Sequence, residues 1–434
     1  MNPLAVELNE AIAAVNPHVL EMLSDMGKSL YFPKGILSQS GEAKKKATKY
    51  NATIGTALEN GMAMSLPSVM APLAGLTPNE ALLYAPSDGV LDVRDAWREK
   101  LLHDNPALVG KAMSLPLVTN GLTHGLALLG DLFVDEGDIL LLPDKIWGNY
   151  RLILELRRGA DIRQFPFFDG DGFNIDAFKA ALAAACAERS KVVVLLNFPN
   201  NPTGYAPTEA EGEAIAEALI EAAEGGTNIV AITDDAYFGL FYGEEVMKQS
   251  LFTKLAGVHP RLLAVKADAA TKEVYVWGLR VGFLTYSIAG ADADGPLYEA
   301  LMKKTGGCVR GMISNCSRLS QKIVCDALLS DSFYEQRAAK VAAMEARALE
   351  VKRVLADPKF AEAWTPYPFN SGYFMCLKVN GVSAEDLRVR LLDAYGVGTI
   401  AIGETDLRIA FSCLEVEQVQ DLFDLCLQAW NDLR

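Results

Sequence analysis

The sequence predicts an α/β protein in which a mostly parallel sheet is covered by helices and joined to a smaller α+β domain. Three observations support this reading. Short apolar runs at 139–142, 162–165, 192–197, 229–233, 262–267 and 281–286 have the length and composition of strands buried on both faces. Helical stretches at 176–188 and 208–224 lie between some of these runs, the alternation of a parallel sheet with helical crossovers. The chain has 434 residues and is 50% hydrophobic, enough for a large core and too long for one ordinary domain.

From the N-terminus, residues 5–26 read as helix. The stretch 28–56 reads as irregular because Pro33, Gly35, Gly41 and Gly55 interrupt it, which suits a segment crossing the body of the protein. Within it the basic run 44–46 reads as a solvated turn or helix face. A helix follows over 92–103, and Thr119-Asn120-Gly121-Leu122-Thr123 is a turn that opens an apolar helix. The strand runs and their helices come next, as far as Ser287. Helices near 296–305 and 316–355, strands at 372–379 and 399–412, and a closing helix from Val416 then give the pattern of an α+β unit. The expected organisation is 1–60 as an N-terminal helix and crossover joining the small domain, 61–320 as the large domain and 321–434 as the small C-terminal domain.

Composition narrows the function. A formal net charge of −15 argues against a phosphate-backbone binder, which would cluster Lys and Arg, so no nucleic-acid partner is expected. The seven cysteines are an odd number without CxxC spacing and read as buried thiols of a reducing cytoplasm. The first residues are acidic where a signal peptide is basic, and no apolar run approaches the roughly 18 residues of a membrane span. The expectation is a cytoplasmic protein without a membrane partner. Four scattered histidines (His18, His103, His124, His259) leave little for a zinc site or a histidine triad, so no metal is expected.

In parallel sheets ligands gather at the carboxyl ends of the strands. Run 192–196 leads into Asn197-Phe198-Pro199-Asn200-Asn201-Pro202-Thr203-Gly204, run 229–233 into Asp234-Asp235-Ala236-Tyr237, and run 262–267 into a loop bearing Lys272 and Arg280. Taken singly, NPTG is a plain turn, DxxY a helix cap and a lone lysine a solvated side chain. Their order and shared position at strand ends make them a set.

NPTG, then DxAY, then a lysine eight positions before an arginine in KEVYVWGLR resembles the fold type I, class I/II aminotransferases, in particular the aspartate aminotransferase-like group. The resemblance runs from about Asn51 to Arg408 and implies pyridoxal 5'-phosphate as cofactor. Such a cofactor needs an amine that forms an imine and later moves a proton, and Lys272 is the candidate. It needs a carboxylate facing the pyridine nitrogen to keep it protonated; Asp234 fits by its spacing to Tyr237, with Asp235 as the alternative. Tyr237 and Asn201 can hydrogen-bond the ring's phenolic oxygen. Gly121, Leu122 and Thr123 offer a helix N-terminus to the phosphate and Arg280 a planar fork.

The resemblance further assigns Tyr84 to the phosphate of a neighbouring subunit, Trp147 to stacking on the ring, Arg408 to the substrate α-carboxylate, and Arg310 and Gly55 to the substrate. It therefore implies a homodimer with shared active sites. Two departures stand out. Ala269 occupies the place, three before Lys272, where many relatives carry a serine for the phosphate, leaving Thr271 as a substitute. Cys316-Ser317 follows the Arg310 stretch where a proline pair is usual. The expected activity is amino-group transfer between an L-amino acid, aspartate- or glutamate-like, and a 2-oxo acid. The alternatives are a preference for aromatic or other amino acids, or a decarboxylase or lyase on the same scaffold.

Overall fold

A computed structural model describes residues 1–30 and 36–434; Pro33 and Gly35 lie outside the described residues. The strands that organise it are β1 (Tyr50–Asn51), β2 (Leu117–Thr119), β3 (Ile139–Pro143), β4 (Asp161–Phe165), β5 (Lys191–Asn197), β6 (Asn228–Asp234), β7 (Leu262–Ala269), β8 (Gly282–Ser287), β9 (Trp364–Pro366), β10 (Phe374–Val379), β11 (Val397–Gly398), β12 (Ile400–Ile402) and β13 (Asp406–Ala410).

Seven of them form the central sheet in the order β2-β8-β7-β6-β5-β3-β4. Neighbours β4, β3, β5, β6 and β7 are parallel, whereas β8 is antiparallel to both β7 and β2. Alternate side chains of β5 enter different cores, with Val193 and Leu195 on one face and Val192, Val194 and Leu196 on the other. That two-sided burial is why these strands read as continuous apolar runs. Helices Leu122–Phe133, Ile175–Glu188 and Glu209–Glu224 cover the sheet.

The second sheet, β9-β10-β13-β12, is antiparallel and packs with helices Ala384–Tyr395 and Val419–Asn431. The N-terminal segment joins it, because β1 pairs with β11. Among the described residues no helix is long and apolar enough to cross a membrane.

The structure corrects several expectations. The helix expected over 5–26 is three pieces, Pro3–Val15, Pro17–Met22 and Asp25–Ser29, since Pro17 lacks the N–H a continuing helix needs and Ser24 caps a fresh start. Part of the irregular stretch 28–56 is helix, Ile36–Lys46, with the basic run 44–46 in its last turn. Gly41 is tolerated there because Gln39 exchanges hydrogen bonds with the Ala401 backbone and Ala43 is buried. The helix expected over 316–355 is interrupted between Arg318–Leu328 and Phe333–Leu355, and the first of these runs unbroken across the expected 320/321 division. The strand expected over 399–412 is a hairpin, β12 and β13. Strand β2, ahead of Gly121, escaped the sequence reading, its three residues being too few for a period.

Candidate active site

Because β2, β3, β5, β6 and β7 run the same way, their carboxyl ends meet at one edge of the sheet. Strand β8 runs oppositely and begins at that edge, so Arg280, just before it, joins them. A cleft of about 340 Å³ opens there. Its wall includes Gly55, Leu122, Thr123, Trp147, Asn201, Asp234, Tyr237, Lys272, Arg280 and Arg408. The sequence-predicted site thus converges from five strand ends and the small sheet.

Asp234 closes β6 and is buried. It accepts from Tyr150 Oη at 2.5 Å, from Asn197 Nδ2 at 3.2 Å and from the Ala236 N–H at 3.1 Å. Burial lifts its pKa to about 6, against those hydrogen bonds and the charge of Lys272, which favour the ionised form. Asp235, the sequence alternative, turns the other way and bonds Lys266 at 2.6 Å and Ser250 Oγ at 2.6 Å. It does not line the cleft.

Lys272 sits in the single helical turn Ala270–Glu273 that follows β7. Its Nζ lies 4.4 Å from the centre of the Tyr237 ring. Burial lowers its pKa to about 8, opposed by Asp234 and assisted by Arg280. An amine of that basicity is free base in appreciable fraction near neutrality and can act as nucleophile or base. Tyr237 is buried against Tyr373 and Phe374, and burial raises its pKa.

At one end of the cleft the helix Leu122–Phe133 points its N-terminus inward. Gly121, with φ +74°, leaves room there for Arg280, and a Cβ at this position would overlap the guanidinium. Arg280 donates to the Trp277 carbonyl at 3.0 Å and forms no ion pair among the described residues. Thr271 Oγ1, beside it on the wall, is buried without a hydrogen-bond partner. Open N–H groups, an unpaired guanidinium and an orphaned hydroxyl fit a phosphate.

At the other end, Arg408 on β13 is 1% exposed. It donates to Asn201 Oδ1 at 2.9 Å and to the Thr53 carbonyl at 2.8 Å, and lies 4.1 Å over the Phe374 ring. No carboxylate reaches it among the described residues, its Nε is unpartnered, and burial brings its pKa down to about 10. A buried cation in this state is a receptor for an anion. Lys145, after β3, pairs with Asp406 at 2.6 Å and so ties the Arg408 strand to the large sheet. Gly204 of the NPTG turn, with φ +76°, permits the same closeness, since a Cβ there would overlap the Phe374 carbonyl.

Tyr84 and Arg310 lie outside this cleft. Tyr84 is 89% exposed, and Arg310 is exposed with Nη1 donating to Ser314 Oγ at 2.6 Å. The segments that carry them touch, Ser87 Oγ donating to the Ser314 carbonyl at 3.1 Å. Trp147 is half-buried, edge-on to Tyr150. Sequence reasoning missed Tyr150 and Asn197, the two side chains that hold Asp234. Asn197 stands at a strand end within the quoted motif and could have been found; Tyr150, as a bare tyrosine, carries no local signal.

A family model described as aminotransferase class I and II matches residues 56–424. A probable aspartate/prephenate aminotransferase of Aquifex aeolicus is 30% identical over 46% of this chain and 48% of its own length. The aspartate aminotransferase of Salmonella typhi is 23% identical over 80% of the chain and 86% of its own length. Among solved structures, an aminotransferase from Anaerococcus prevotii superposes with a TM-score of 0.83 at 24% identity, covering 95% of this chain and all of that one. The match across the fold and the site's span makes this chain a member of the class I and II aminotransferase family, a family of pyridoxal-phosphate-dependent transaminases.

Proposed function

We propose that this cleft binds pyridoxal 5'-phosphate and transfers an amino group between an L-amino acid and a 2-oxo acid. One observation carries the reading: a half-buried amine and a buried carboxylate lie between two guanidinium groups that have no anion of their own. When bound, the cofactor supplies an electron sink for the carbanion formed at the substrate α-carbon. Lys272 provides the amine that attaches it and, once released, carries the α-proton. Asp234, fixed by Tyr150 and Asn197, faces the pyridine nitrogen and favours its charged form. Tyr237 and the Nδ2 end of Asn201, whose Oδ1 is taken by Arg408, donate to the phenolic oxygen.

Gly121, Leu122, Thr123, Thr271 and Arg280 hold the phosphate, and Trp147 covers the ring and excludes water. Arg408 takes the α-carboxylate through its planar fork, with Gly55 at the substrate's edge. The protein works as a homodimer in this reading. Tyr84 and Arg310 lie in segments that also expose the apolar side chains Leu82, Leu83, Met312 and Ile313, which suits burial against a second copy. Arg310 would then read a distal carboxylate in the partner's site, making glutamate with 2-oxoglutarate a productive pair. A second reading, aromatic substrates, is favoured by the remaining lining, which includes Ile54, Trp277 and Phe374. The large domain, in the same reading, ends after helix Arg318–Leu328, and residues 1–60 belong with the small one.

The test is borohydride reduction of the cofactor-loaded protein followed by peptide mapping. Label on Lys272, absent in Lys272→Ala, is the expected result; label on Lys266 or another lysine overturns the assignment. Arg310→Ala should lower kcat/KM for glutamate roughly ten- to a hundredfold and for phenylalanine much less, a bidentate arginine–carboxylate contact being worth about 1.5–3 kcal/mol. Equal loss on both substrates overturns the dicarboxylate reading alone.

A further inference from the structure

Lys272 and Asp234 are each followed by a carboxylate that turns away from the cleft. Glu273 and Asp235, 2% exposed each, enter two buried ion clusters on the far side of the backbone, which meet at Trp97, where Lys100 Nζ lies 4.7 Å over the ring. Glu273 pairs with Lys100 Nζ, which also holds Asp104 at 2.8 Å. Arg337, from helix Phe333–Leu355, bridges Asp104 at 2.8 Å and Glu273 at 3.7 Å. Asp235 pairs with Lys266 at 2.6 Å, and Lys266 with Asp268 at 2.8 Å, both from β7. Trp97 Nε1 donates to Asp268 at 3.1 Å from the helix that carries Lys100. None of Lys100, Asp104, Lys266, Asp268, Glu273 and Arg337 has a role in the chemistry proposed above except through its neighbours.

A single helical turn such as Ala270–Glu273 has no stability of its own. The Lys272 carbonyl accepts from the Tyr275 N–H at 3.3 Å and from Tyr373 Oη at 3.5 Å. The turn is also tied by the Ala270 N–H to the Val281 carbonyl at 3.1 Å and by the Val276 N–H to the Thr271 carbonyl at 3.0 Å, so the ion clusters are the charged part of its anchorage. Paired charges buried from water are costly to separate, so these clusters are a stiff anchor. We infer that Glu273 and Asp235 are positioning residues, which through these clusters fix Lys272 and Asp234 relative to each other. The inference rests on the reading of Lys272 as the amine that binds the cofactor.

The test measures Lys272 itself in the apoprotein, from the pH dependence of its modification by an amine-selective acylating reagent, with peptide mapping. The low basicity of Lys272 comes mainly from burial. Loosening the turn in Glu273→Ala or Lys100→Met admits water and should raise its apparent pKa by about one unit toward the free value of about 10.4. Glu273→Gln, which still offers Lys100 an acceptor, should restore the wild-type value. Lys100→Met carries the test from a separate helix if Glu273→Ala fails to fold. An unchanged Lys272 pKa despite a lowered Tm, or a Gln variant that behaves like Ala, overturns the positioning role. Borohydride label on another lysine would instead remove the reading on which it rests.

Discussion

Replacing Arg408 with Met separates a binding cation from a structural one, because the two make opposite demands on stability. Burial lowers the arginine from its ordinary 12.5 to about 10. About two units of pKa correspond to roughly 3 kcal/mol of cost in keeping the charge in the empty site. The Arg408→Met variant would recover that cost and keep a sulfur against the Phe374 ring. It would also leave Asn201 Oδ1 and the Thr53 carbonyl without a donor, at roughly 1–3 kcal/mol each. These largely offset one another, so the apoprotein's unfolding free energy, read by denaturant titration, should fall by less than about 3 kcal/mol. An arginine serving a buried structural pair would cost about 3–5 kcal/mol when removed. Activity should respond strongly, since the lost fork is worth about 1.5–3 kcal/mol to a carboxylate, or roughly ten- to a hundred-and-fifty-fold in kcat/KM. The assay compares an amino acid with the corresponding amine lacking the α-carboxylate. The wild type should prefer the acid strongly and Arg408→Met should lose most of that preference. Equal loss toward both compounds, with an unfolding free energy lowered by about 3–5 kcal/mol or more, would refute the reasoning.

Three further outcomes follow from the same geometry. Asp234 has a folded pKa of about 6 against an ordinary 3.8, so its contribution to apoprotein stability is full below pH 4 and lost as pH rises through 6, roughly 3 kcal/mol in all; Asp234→Asn should flatten Tm against pH across that window, and parallel curves would contradict it. Thr271→Val removes the orphaned hydroxyl and should weaken cofactor retention about five- to tenfold by fluorescence titration, roughly 1 kcal/mol. Ala269→Ser in that background should restore part of it. Gly121→Ala places a methyl on the Arg280 guanidinium at positive φ and should lower cofactor affinity more than tenfold, whereas Gly110→Ala, at φ +84° in open space, should leave cofactor affinity unchanged.

The sequence by itself determined six of the seven strands of the large sheet and which residues stand at their ends. Strand composition, Gly and Pro punctuation and the NPTG, DDAY and KEVYVWGLR motifs are local, and the parallel topology they imply delivers strand ends to one edge. That is why Asn201, Asp234, Tyr237, Lys272 and Arg280 could be assembled before any coordinates. Tertiary structure decided what each end does with its neighbours. The spacing to Tyr237 favours Asp234 over Asp235, but only the fold shows that one enters the cleft while the other turns to Lys266. The helix Ile36–Lys46 forms despite Gly41 because distant residues near Ala401 pack on it. Arg408 is buried without an anion because the Thr53 carbonyl, 355 residues away in sequence, folds onto its fork and no described carboxylate does. Pairing and burial of charge depend on which chain segments meet, and no local pattern of residues records that.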